Sequence, residues 1–123
     1  MEIKIPTINE LLESLKLHDK CRDLSATAKW YEDFSSPTLA EYCRYAHRSV
    51  CDLIDEIRAK CETLPEILSL VKELLYTSWN EYKFYQGEHF EHFAEFAMVK
   101  NKVLDSIAFK IEKMISSDSN AEP

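Results

Sequence analysis

A chain of 123 residues with 46% hydrophobic and 30% charged content has the make-up of one globular domain, and one glycine with four prolines argues against a loop-rich or sheet-rich fold. The formal net charge of −7 is spread along the chain, with seven acids against four lysines over residues 88–123, which disfavours non-specific binding to nucleic acid or to an anionic membrane. No run approaches the roughly 18 apolar residues of a membrane span, and MEIKIPTINELLE, with its early acids, does not read as a signal peptide.

Residues 1–6 read as a short extended lead-in. Thr7 with Glu10 three residues on is a capping-box pattern, and Ile8, Leu11, Leu12 and Leu15 make an apolar stripe, so a helix is expected over about 7–17. A second stripe, Leu24, Ala28, Tyr31 and Phe34, predicts a helix over 21–34. In one straight helix these stripes would lie on nearly opposite faces, so a break is expected near residues 17–22.

Ser36 and Pro37 mark the next boundary and suit a cap and a first helical turn. The helix expected at 37–62 organises the chain. Leu39, Tyr42, Cys43, Ala46, Val50, Leu53, Ile54, Ile57 and Cys61 fall within an arc of about 120°. Thr63, Glu66 and Pro65 repeat the start signal for a helix at 64–86, which carries Ile67, Leu70, Val71, Leu74, Leu75, Ser78, Tyr82 and Tyr85 on one face. Gly87, the only glycine, reads as a left-handed residue ending that helix. The last helix is expected at 88–115, with Phe90, Phe93, Phe96, Ala97, Val103, Leu104, Ile107, Ala108, Ile111, Met114 and Ile115 on its buried side. Residues 116–123 have nothing to bury and are expected to form a flexible tail. The expectation is an all-α antiparallel bundle of four or five helices forming one domain over 1–115, with sequential helices as neighbours.

Three of the four cysteines, Cys43, Cys51 and Cys61, lie on one expected helix and cannot pair with each other; Cys21 lies elsewhere. Reduced thiols in a cytoplasmic protein are expected. With no CxxC pair, structural zinc is not expected. The metal-like pattern is instead Glu88, His89, His92 and Glu95, whose carboxylate and imidazole spacings suit a metal site in a bundle. No second helix offers a matching Glu-x-x-His. His47, beside Arg44 and Arg48, would need a polar partner such as His89 or His92 across the bundle to work as an acid or base.

Large apolar residues off the expected stripes carry the functional reading. Met98 and Phe109 on the last helix, Tyr76 and Phe84 on the fourth, and Tyr45 on the third fall outside the core faces. They point to a non-enzymatic protein–protein interaction module without cofactors, binding a protein partner or a second copy of itself, and not nucleic acid. One alternative is a metal-binding bundle using the His/Glu cluster. Another is an acidic decoy that blocks a nucleic-acid-binding protein.

Overall fold

The computed structural model describes residues 6–34 and 36–120. They form five α-helices and, among the described residues, no strand: α1 (Ile8–Ser14), α2 (Leu17–Phe34), α3 (Pro37–Lys60), α4 (Leu64–Gly87) and α5 (Glu91–Asn120). The chain is an all-α bundle, as its periodicity requires. Apart from Pro6, the expected lead-in lies outside the described residues.

The capping signals act where they were expected. Thr7 Oγ1 accepts the Glu10 N–H at 3.2 Å, Ser36 Oγ accepts the Leu39 N–H at 3.4 Å, and Thr63 Oγ1 accepts the Glu66 N–H at 3.4 Å. Each satisfies one of the orphan donors of a first helical turn. The Thr63 hydroxyl in turn donates to Glu66 Oε1 at 2.9 Å.

Several boundaries differ from the expected ones. The first break comes at Leu15–Lys16, ahead of the expected 17–22, because Lys16 takes a left-handed conformation (φ 55°). Lys110 of α5 donates from Nζ to the Leu15 carbonyl at 3.0 Å, placing a cation on the free carbonyl end of α1. The second difference concerns Gly87, which remains helical, while His89 adopts the left-handed backbone (φ 62°). The Phe90 N–H returns to the Tyr85 carbonyl at 2.8 Å, and the Phe90 carbonyl accepts the Ala94 N–H at 3.0 Å, so α5 starts at Glu91 and not at residue 88. It continues to Asn120, past the expected end at 115; residues 121–123 lie outside the described residues.

Packing is led by two antiparallel hairpins, α2 on α3 and α4 on α5. They are joined mainly by α3 against α5, which run parallel, with Tyr42 and Tyr45 meeting Glu95 and Phe96. Sequential order is therefore not the whole packing rule. The link Cys61–Thr63 joins the ends of α3 and α4, yet their flanks barely touch, because α4 turns its buried face to α5.

The aliphatic core fills one half of the molecule. Leu11, Leu12, Leu15 and Leu17 close it from α1 and the start of α2, against Val50, Leu53, Ile54 and Ile57 of α3. Ile67, Leu70 and Val71 of α4 and Leu104, Ile107 and Ile111 of α5 complete it. Toward the other end the buried residues become small: Ala28, Ala40, Ala46, Ser78, Ala94 and Ala97. Between the halves sits Asn101, 1% exposed, with neither amide atom hydrogen-bonded within the protein.

Candidate functional site

Alanines at helix contacts let backbones approach closely and leave no room for large side chains between them. At the alanine-lined end the aromatic residues consequently lie on the outside. Phe84, Phe90 and Phe93 are 59%, 50% and 56% exposed, and Phe34 at the end of α2 is 74% exposed. Phe34, Phe90 and Phe93 were expected on buried faces. Phe34 is the last residue of α2, Phe90 stands in the turn ahead of α5, and Phe93, although in ring contact with Tyr85 of α4, stays more than half exposed.

These rings form a connected surface around the α4–α5 turn. Phe84 meets Tyr85 at a centroid distance of 5.7 Å, Tyr85 meets Phe93 at 5.5 Å, and Phe93 meets Phe90 at 6.2 Å. From Phe93 the network passes through His92 to Phe96, at 6.4 and 4.8 Å, and from Phe96 to Tyr42 and Tyr45 of α3 at 5.0 and 5.1 Å. Edge-on and tilted contacts at these separations are favourable beyond simple burial and hold the rings in place. The Tyr42 hydroxyl donates to the Glu95 carboxylate, which raises its pKa above the ordinary tyrosine value. Burial raises that of Tyr45, helped by Glu81.

Of the residues picked out by their off-stripe positions, Phe84 and Tyr45 belong to this network. Met98 lies beside it, in a groove of about 520 Å³ on the α4–α5 seam with Tyr82, Gln86, His89 and Ala94, and with Glu91 and Glu95. Phe109 is elsewhere. It is 58% exposed in a second groove with Lys72, Leu75 and Glu112, and its ring carries Lys113 Nζ at 4.7 Å from the centroid. Tyr76 is exposed and joins no ring contact among the described residues. The five are thus not one surface.

The residues of the His/Glu pattern do not gather as a three-ligand cluster among the described residues, although His89 and Glu95 line the same groove. Glu88 caps α4, His89 is in the turn, His92 meets Phe96 edge-on, and Glu95 is held by Tyr42. Helical spacing does not relate Glu88 and His89 to the other two, because α5 begins after them. Among the described residues, the metal-ligand atoms that gather within 4.8 Å of one another are those of Cys21, His47 and Cys51.

This second site lies between α2 and α3. Cys21 Sγ is 3.5 Å from Cys51 Sγ, and Cys51 Sγ is 3.7 Å from His47 Nε2. His47 and Cys51 are one turn apart on α3, hence on one face. Cys21 and Cys51 stand equally far from Ser36, at the turn of the hairpin, so the antiparallel fold brings them level. That symmetry was the available signal in the sequence; a search for CxxC spacing cannot see it. Burial, and then the hydrogen bond to Cys51 and its charge, push the Cys21 thiol up to about 12. Burial also raises Cys43 and Cys61. All four cysteines are free thiols. His47 also lines an open groove of about 330 Å³ with Ser25, Lys29, Glu32 and Arg44, where Arg44 pairs with Glu32 across the hairpin.

No helix among the described residues is long and apolar enough to cross a membrane. No protein-family model matches the chain, and no curated protein and no solved structure is significantly similar to it.

Proposed function

We propose that this chain is a non-enzymatic docking module whose aromatic end receives a partner protein through a segment that carries apolar anchors flanked by lysine or arginine. The observation that carries the reading is the ring network around the α4–α5 turn, with Phe84, Phe90 and Phe93 each at least half exposed. Three large aromatic side chains left in water at one place, and ordered by mutual contacts, are what an interface anchor looks like before its partner arrives. Aromatic rings bury much area with few rotatable bonds, so little entropy is lost on docking.

Charge supports the choice of partner. Residues 81–95 hold Glu81, Glu88, Glu91 and Glu95 against Lys83 alone. Such a rim attracts a basic segment and repels a second copy of the same end, and it speeds association more than it tightens the complex. The neighbouring groove along Met98 and Tyr82 gives an apolar anchor somewhere to enter.

Calorimetric titration with an amphipathic Lys/Leu helical peptide tests this reading, with the Phe93→Ser variant as comparison because it leaves net charge unchanged. Binding should weaken at least about tenfold in the variant, and should weaken with added salt in both proteins. Equal binding by the variant would refute the assignment of the site. A dimer in native mass spectrometry that dissociates on Phe93→Ser substitution would replace the basic partner by self-association.

A further inference from the structure

We propose that Cys21, His47 and Cys51 form a binding site for one zinc ion, held by two sulfurs and the His47 imidazole, with a fourth position left for water from the adjoining groove. The site is separate from the aromatic end and does not depend on the docking function.

The geometry is close to what the ion requires. A zinc ion about 2.3 Å from each sulfur and about 2.0 Å from a nitrogen, in tetrahedral array, separates the two sulfurs by about 3.8 Å and each sulfur from the nitrogen by about 3.5 Å. The observed Cys21–Cys51 and Cys51–His47 separations are 3.5 and 3.7 Å. The third edge, Cys21 to His47, lies within 4.8 Å and is the one that must shorten when the ion binds. All three residues are on regular helix, so the backbone that presents them is rigid, as a preorganised site needs.

Ligand chemistry selects the ion. Two thiolates and an imidazole suit zinc, whereas magnesium and calcium require oxygen donors. Binding displaces the two thiol protons to solvent, and the charge of the dication offsets the repulsion that the two resulting thiolates would otherwise feel. The same sulfurs would join in a disulfide if an oxidant removed two electrons and two protons, but a disulfide gives no role to His47, which the fold places on the pair.

Cobalt(II) is the probe, added to the full chain kept reduced with a phosphine. One equivalent should produce thiolate-to-cobalt charge-transfer absorption, and zinc should abolish it by displacement. The Cys51→Ser variant should lose the band, His47→Ala should bind at least about tenfold more weakly, and a Cys43→Ser/Cys61→Ser double variant should behave as the parent. A protection experiment on the parent chain is independent of variant folding: zinc should slow iodoacetamide alkylation at Cys21 and Cys51 while leaving Cys43 unchanged. No charge-transfer band at one equivalent would overturn the proposal, as would a band retained by Cys51→Ser. Alkylation of Cys21 and Cys51 at the same rate with and without zinc would do so too.

Discussion

The two ends of this bundle are assembled from different side chains, and each end does what its side chains permit. At one end leucine, isoleucine and valine from all five helices interlock, and Leu12, Leu53, Ile57, Ile67, Leu104 and Ile111 are fully buried. At the other, alanines make the helix contacts and the aromatic rings stand outside. Burying branched aliphatic chains removes much apolar area from water and stabilises the fold. Close alanine contacts remove little area, so the second end contributes less to stability and keeps its large apolar groups available. Stability is concentrated where α1 closes the core; recognition is proposed where nothing closes it.

The sharpest way to break this comparison is to truncate one residue at each end. Ile57→Ala should cost about 2–5 kcal/mol, since Ile57 is completely buried in the aliphatic core. Phe93→Ser should change stability by no more than about 1 kcal/mol, because most of that ring is already in water. Urea melts followed by circular dichroism measure both, and similar losses would mean that the aromatic end is as well packed as the other.

A smaller effect of opposite sign is expected at the junction. Asn101 buries an amide without a hydrogen-bond partner in the protein. Replacing it by leucine, close in size, should raise stability by about 1–3 kcal/mol and extend the aliphatic core toward Ala97. A loss of stability in the same melts would show that the amide is satisfied in solution and that the junction is a specified feature.

The smallest effect concerns the last turn of α4. Gly87 has helical geometry, and a methyl group added there meets nothing within 4 Å. Gly87→Ala should therefore gain about 0.5–1 kcal/mol, mostly by restricting the unfolded chain. If the substitution destabilises, the turn beneath the aromatic end is not helical at that point. The gain should leave peptide binding at Phe93 unchanged.

Much of the fold was legible because its causes are local. Thr7, Ser36 and Thr63 begin helices through bonds to residues three positions away, and Pro37 and Pro65 fit first turns by their own geometry. The aliphatic stripes of α3, α4 and α5 gave the core positions from Val50 to Val71 and from Leu104 to Ile111 correctly, since each of these faces meets a neighbour along its length. The error at Gly87 and His89 has a different origin. Glycine permits a left-handed backbone without requiring it, and here the chain turns two residues later, where the α4 end bonds to Phe90.

The sequence by itself determined that this chain forms helices, where most of them start, and which face of each is apolar, because hydrogen bonds three and four residues apart and the 3.6-residue period are properties of a short segment. Only the tertiary structure decided which helices lie together, that Phe90 and Phe93 stay in water, and that Cys21 meets Cys51 and His47. An apolar stripe says which side of a helix seeks cover, but not how far along the axis a neighbour will reach or how closely it will approach. Those distances are set by all five helices at once, through the size of the residues at their contacts.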